Sequence, residues 1–202
     1  IIANPIYDVV FKHLMDDIDI AKGVISTIIN EEIVTLEFST LERPLKIKET
    51  ITLLRVDLIA KIKLADGVYK NVLIEIQKAK LPEDVSRFRN YLGRQYLKKD
   101  EIVNKEGSVE KVSLPIITIY FLGFTLSDEL PSTINVKRDY YDAFSGKKIN
   151  KHNSFIESLT HDAHIIQILC LNPTNRTQLE RILSVFKQEH FVSKDKHLID
   201  YD

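Results

Sequence analysis

Apolar residues recur along the chain with two different periods, and each change of period marks an element. Asn4-Pro5 offers a capping side chain followed by the residue that tolerates the first helical position, and Ile6, Val9, Val10 and Leu14 continue an apolar stripe. A first helix is therefore expected to run to about Met15. Asp16, Asp17 and Asp19 break it and provide a new cap, after which Ile20, Val24, Ile25, Ile28 and Ile29 are spaced for a second buried helix ending near Asn30. The two should form a helical hairpin. From Ile33 to Phe38, and again from Leu45 to Lys48, apolar and polar residues alternate as in short strands. Residues 51–64 and 68–77 are rich in Ile, Val and Leu and flank Ala65-Asp66-Gly67, where Asp-Gly supplies the positive φ angles of a tight hairpin. They are expected to pair antiparallel. Pro82 opens a helix with Val85, Phe88, Leu92 and Tyr96 on one face, residues 100–113 read as a polar loop, and Leu114–Phe124 is a nearly unbroken apolar run that suits a central strand covered on both faces.

Beyond Phe124 the pattern weakens. Residues 125–153 read as loop with a short hairpin near Ser145-Gly146, and 154–171 as a helix or a helix leading into a strand. Thr177–Phe191 is expected to be a helix with Leu179, Ile182, Leu183 and Phe186 on one face, and 193–202 a loose end. The predicted organisation is an α/β domain over residues 1–153 with a helical C-terminal extension over 154–202 packed on it. The 202 residues, 44% hydrophobic and 28% charged, suffice for a folded body with a sizeable core and need no disulfide or metal to hold it. Cys170 is the only cysteine, in keeping with a reducing compartment. The chain shows no spanning run and no secretory signal, so no membrane partner is expected and the cytoplasm is the default location. The start at Ile1 rather than Met suggests a trimmed or partial chain. The formal net charge of −1 does not announce a polyanion partner, so any such site must be local.

The residues that invite chemistry sit where apolar strands are interrupted. Asp57 interrupts Leu53–Ala60, and Glu75 interrupts Val72–Gln77. A carboxylate in such a place needs a partner or a bound cation. With the turn at Asp66-Gly67, opposed positions should sum to about 133, which sets Asp57 against residue 76 or thereabouts, and a shift of one residue would bring both carboxylates to one face. Gln77 shares the face of Glu75 by the period of two. Two such carboxylates repel unless a divalent cation lies between them, and an all-oxygen set selects Mg²⁺, with Mn²⁺ next, over zinc. Residues 85–99 hold Arg87, Arg89, Arg94, Lys98 and Lys99 and no acid, and Arg87, Tyr91, Arg94 and Lys98 have the helical spacing of a stripe able to track phosphates.

Asp57, Glu75-Ile76-Gln77 on the next strand, Arg87-Phe88-Arg89-Asn90-Tyr91 on the following helix and Tyr7-Asp8-Val9-Val10-Phe11-Lys12 on the opening helix together resemble the PD-(D/E)xK nuclease superfamily. More closely they resemble its branch of recombination-promoting nucleases and transposase-like proteins, in which glutamine takes the place of the motif's lysine. The resemblance covers residues 4–124 with strong motif order and extends more weakly to about 190. It implies a restriction-endonuclease-like αβββαβ core and a Mg²⁺-dependent nuclease acting on DNA, with RNA as a second substrate class and room for a homodimer. It implies that Asp57 and Glu75 are metal ligands, that Gln77 stands where the lysine would orient the attacking water, that Asp8 is the first-helix acid and that Arg87 has a substrate-side role. Val56 precedes Asp57 where the motif name has proline, and Gln77 lends no positive charge, which implies slow or conditional activity.

Plainer readings stand beside these. Asp57 and Glu75 can be structural charges paired with Arg55 or Lys61, and Asp8 can complement a helix dipole. Gln77 alone would be a surface strand residue, and the basic stripe a solvated face. His161-Asp162-Ala163-His164 offers two histidines at helical spacing but no further zinc ligand, and Cys170 reads as a small buried hydrophobe. The rival functions are a nuclease-fold nucleic-acid-binding module with a weak or lost active site, and a protein-interaction domain using the C-terminal helices.

Overall fold

The computed structural model describes residues 2–5, 7–38, 53–63, 69–79, 81–82, 84–97, 99–103, 106–151, 153–171, 177–186 and 198–199. The expected strand at Leu45–Lys48 and the Asp66-Gly67 turn lie outside them. The architecture is α/β, with a mixed, open, six-stranded sheet flanked by helices.

The opening helical hairpin is formed by α1 (Asp8–Asp16) and α2 (Ile18–Ile29). Helix α1 begins at Asp8 rather than Pro5, and Tyr7 caps it without a side-chain bond. Asp17 makes the break, because its carboxylate accepts from the backbone N–H groups of Asp19 at 3.1 Å and Ile20 at 3.2 Å and so satisfies donors a helix start leaves open. Asn30 ends α2 in the left-handed region at φ 55°, a conformation asparagine tolerates better than most side chains. Between these caps α2 buries Ala21, Val24, Ile25, Ile28 and Ile29.

The strands are β1 (Ile2–Ala3), β2 (Glu32–Phe38), β3 (Leu53–Lys63), β4 (Tyr69–Ala79), β5 (Asp100–Val103), β6 (Val109–Val112), β7 (Ile116–Leu122), β8 (Thr133–Val136), β9 (His161–Gln167) and β10 (Leu198–Ile199). The main sheet has the order β2-β3-β4-β7-β9-β8. β2, β3 and β4 are antiparallel neighbours, β4, β7 and β9 run parallel, and β8 returns antiparallel at the far edge. A helix, α3 (Asp84–Leu97), makes the crossover from β4 to β7. Alternation along the strands divides the core in two. Leu58, Ala60, Ile62, Ile74, Ile76, Ile119 and Phe121 pack with Phe11 and Met15 of α1, with α2, and with Leu183 and Phe186 of the C-terminal segment. On the other face Leu73, Ala79, Ile116 and Leu122 pack with Phe88, Tyr91 and Leu92 of α3.

Three expectations are corrected. The polar loop at 100–113 contains the small hairpin β5-β6, whose residues Ile102, Val103, Val109 and Val112 are too few to stand out among charged neighbours. The C-terminal stretch is not a helical extension throughout: among the described residues the short helices α4 (Ser154–Ser158) and α5 (Gln178–Ser184) flank β9, which enters the sheet between β7 and β8. In the loose end, Leu198–Ile199 pairs antiparallel with Ile2–Ala3. Helix α5 has the expected apolar face and a capping box, Thr177 with Glu180. Among the described residues no helix is long and apolar enough to cross a membrane.

The histidine pair falls on β9, where residues three apart point to opposite faces, so the shared helix face that a zinc reading needs does not exist. His161 lies 2.9 Å by its Nδ1 from the Tyr96 hydroxyl, and His164 donates from Nδ1 to Asn135 Oδ1 at 2.9 Å. Burial pushes both imidazoles below the ordinary histidine pKa, assisted by Arg138 at His161 and by Lys137 at His164, against the opposing charge of Asp162. A group whose folded pKa is depressed toward the neutral form leaves stability intact above the unfolded pKa and removes it as pH falls toward the folded one. Urea midpoints are thus expected to fall between about pH 7 and about pH 5, and His164→Gln should flatten part of that slope. An unaltered slope in His164→Gln would assign the loss to other groups.

Candidate functional site

The β3-β4 ladder decides what the sequence left one residue short. Opposed positions sum to 132, as in Asp57↔Glu75, Arg55↔Gln77 and Ile59↔Leu73, and the ladder runs without a bulge. Asp57 and Glu75 are therefore direct cross-strand partners and lie on one face of the sheet with no register shift. β7 continues the rows, pairing Glu75 with Thr118 and Gln77 with Tyr120. One row thus reads Asp57, Glu75, Thr118 and Ala163, and the next reads Arg55, Gln77, Tyr120 and Ile165. The face is the one covered by α3, since Ile59 and Leu73 in the adjoining row pack with Leu92.

Gln77 is not the surface strand residue its isolated sequence context suggests. It is 0% exposed, and neither its Oε1 nor its Nε2 has a hydrogen-bond partner among the described residues. An unsatisfied buried amide costs about 1–3 kcal/mol, so something the amide binds in another state is the economical explanation. Beside it Tyr120, its cross-strand partner, has its ring 5.0 Å, centroid to centroid, from Phe88 of α3. Thr118, also fully buried, directs its hydroxyl to the Asp162 carbonyl at 3.3 Å.

The donor chemistry fits a hard divalent cation. Two carboxylate positions directly opposed on adjacent strands offer oxygen donors of the kind Mg²⁺ or Mn²⁺ takes. Among the described residues no group of three or more His, Cys, Asp or Glu gathers elsewhere. Asp57, Glu75, Asp8 and Arg87 are placed by their backbone positions. Asp8 opens α1, whose Phe11 and Met15 pack against the face of the sheet opposite to the Asp57–Glu75 row. The structure thus sets the positions of Asp57, Glu75 and Gln77 on one face of the sheet and the helix of Asp8 in the other layer.

The basic stripe is divided. Arg94 and Arg89 are exposed on α3, as is Lys99 just after it, while Lys98 lies outside the described residues. Tyr91 turns inward and packs with Ala79, Phe88 and Leu122, so it belongs to the core-facing side of α3 and not to an exposed phosphate track. Lys78, next to Gln77, lies within β4 and is 1% exposed, with its amine 5.7 Å from the centroid of the Phe11 ring. Cys170 is half-buried in a short 3₁₀ turn, with its sulfur 3.5 Å from Thr125 Oγ1, and is not the fully buried hydrophobe expected.

The isolated amide makes a prediction that separates stability from function. Gln77→Leu keeps the volume and removes the unpaired polar atoms, so it should raise stability by about 1–3 kcal/mol in urea titrations. Activity that depends on this amide should fall about ten- to a hundredfold in the same variant. A lowered melting temperature would mean that Gln77 is satisfied in the folded protein. Comparison of the chain with models of known families, with curated proteins and with solved structures finds no match.

Proposed function

We propose that the chain is a Mg²⁺-dependent nuclease with a restriction-endonuclease-like core, hydrolysing phosphodiester bonds in DNA. The observation that carries the reading is the direct opposition of Asp57 and Glu75 on adjacent strands with the unsatisfied, fully buried Gln77 two residues on. Like charges directly opposed across a sheet are unfavourable, and retention of the pair is explained by a cation. A bound Mg²⁺ supplies a nucleophilic water at neutral pH and offsets charge developing on the phosphorus oxygens. Asp57 and Glu75 would hold it, Gln77 would fix the orientation of the attacking water through its amide, and Arg87, near the start of α3, would neutralise the scissile phosphate. Arg94, exposed one turn from the end of α3, would contribute a backbone contact.

The second reading is a nucleic-acid-binding module of the same fold without turnover. It is favoured by the complete burial of Gln77, which closes the amide from solvent in this conformation. Incubation of supercoiled plasmid with the protein and Mg²⁺, with and without chelator, decides between them. Chelator-sensitive nicking is expected. Plasmid binding with no nicking in either Mg²⁺ or Mn²⁺ selects the second reading.

A further inference from the structure

A second surface combines positive charge with rings held out in solvent. Between β8 and α4 the chain makes a hairpin closed by the Tyr141–Lys148 bridge, with Ile149 N–H donating to the Tyr140 carbonyl at 2.9 Å and Asp142 N–H to the Lys147 carbonyl at 2.9 Å. Its tip is fastened from within. Asp142 Oδ1 accepts from the N–H of Phe144 at 2.8 Å and of Ser145 at 3.0 Å, Gly146 N–H returns to the Asp142 carbonyl at 2.8 Å, and Gly146 holds φ at 67°. These bonds keep the Asp142 carboxyl below its usual pKa, so the tip stays fastened at neutral pH. The tip presents Phe144, wholly exposed at 103%, with Tyr141 at 57% beside it. A phenyl ring so exposed on a fastened turn gains no burial among the described residues.

Along residues 137–151 the basic side chains outnumber Asp139 and Asp142. Lys137, Lys147 and Lys151 are exposed, Lys148 is paired with Asp139 at 2.8 Å, and Asp142 is occupied with the turn. The hairpin borders an open polar cavity of about 280 Å³ in which Lys70, Arg138 and Lys148 are paired with Glu157, Asp162 and Asp139, while Lys151 lies at its edge. Arg138 fixes the floor, with its guanidinium donating to the Glu157 carbonyl at 2.7 Å and lying 3.7 Å from Asp162. Surplus lysines around unburied aromatic rings complement a phosphate backbone whose bases are free to stack, since stacking needs open base faces and a duplex hides them.

We infer that the hairpin Tyr140–Ile149 is a docking surface for single-stranded DNA, with Phe144 and Tyr141 stacking on bases and Lys147 and Lys151 contacting phosphates. The surface is separate from the carboxylate pair. Lys70 at the cavity rim is five residues from Glu75 on β4, so the two positions fall on opposite faces of the sheet. The inference rests on the nuclease reading for the cut that follows binding, and not for the binding itself.

The test is anisotropy titration of a labelled oligothymidylate in chelator with the Asp57→Ala protein, which separates docking from chemistry. Binding to the oligothymidylate is expected to exceed binding to a duplex of equal length. Phe144→Ala should weaken it about five- to a hundredfold, the range of one lost base stack. Phe144→Leu should lose as much, because an aliphatic group cannot replace the ring in a stack. Joint Lys147→Ala and Lys151→Ala should lower the slope of log affinity against log salt by about 1.4, two single-strand phosphate contacts. Equal affinity for duplex and single strand, binding of oligouridylate alone, or unchanged affinity in Phe144→Ala would overturn the proposal. So would full retention of affinity in Phe144→Leu, or sedimentation showing that Phe144 joins two copies of the chain. Failure here with plasmid nicking intact leaves the nuclease reading standing; single-strand binding without nicking removes that reading alone.

Discussion

Alanine at Asp57 or at Glu75 is expected to stop Mg²⁺-dependent cleavage while the protein stays folded. The two positions are cross-strand partners, so their Cβ atoms are placed about 4.5–5.5 Å apart, close enough for one cation to be shared. Several kcal/mol of transition-state stabilisation go with that cation, so the loss should reach at least about a thousandfold in plasmid nicking. The sign of the accompanying stability change is informative. If the carboxylates are held for a metal, deleting one in metal-free buffer relieves repulsion, and the melting temperature should stay level or rise. If they are structural ion pairs with Arg55 or Lys61, deletion leaves a cation without its partner and the melting temperature should fall. Unchanged nicking in both variants would refute the assignment, and a falling melting temperature with unchanged nicking would establish the structural alternative.

The second large effect belongs to the core. Phe11 is 0% exposed, its ring 5.2 Å edge-on from Phe121 and 6.1 Å from Phe186, while Phe121 and Phe186 lie 5.0 Å apart. This trio ties α1 and the C-terminal segment to β7, so removing the central ring opens a cavity shared by three elements. Phe11→Ala should cost about 3–5 kcal/mol, a large part of a stability of about 5–15 kcal/mol. The ring also provides the aromatic face beneath the Lys78 amine, a favourable contact that alanine cannot make. At a slope of about 2 kcal/mol per molar urea, the midpoint should move down by about 2 M, and by much less in Phe11→Leu. A shift below about 0.5 M would mean that the site collapses around the truncation.

Elements with strong local signals were legible before the structure. The Asp17 cap and the isoleucine spacing of α2 predict the helical hairpin, and the apolar run of β7 predicts a covered central strand. Asp-Gly placed the β3-β4 register to within one residue, and the missing residue mattered, because it decides whether Asp57 faces Glu75 or its neighbour. The helix leading into a strand, one of two readings of 154–171, matches α4 and β9, but the place of β9 between β7 and β8 comes from β7 needing a second neighbour and not from local propensity. The burial of Gln77 and the inward turn of Tyr91 had no sequence signal. Both depend on where α3 settles over the sheet, a long-range outcome that no periodicity in β4 reports.

The late arrival of β9 has a consequence for how the chain can be divided. β7 ends at Leu122 and its outer neighbour begins at His161, so the sheet's interior is sealed only after the chain has made β8 and α4 and returned. Until then Ile116–Leu122, apolar on both faces, is an open edge with unpaired backbone groups, the template on which other chains assemble. A fragment ending at residue 153 would keep both carboxylates and the whole of α3 yet display that edge permanently. The proposed site and the strand that seals the sheet therefore lie far apart in the chain, and a fragment that holds the first lacks the second.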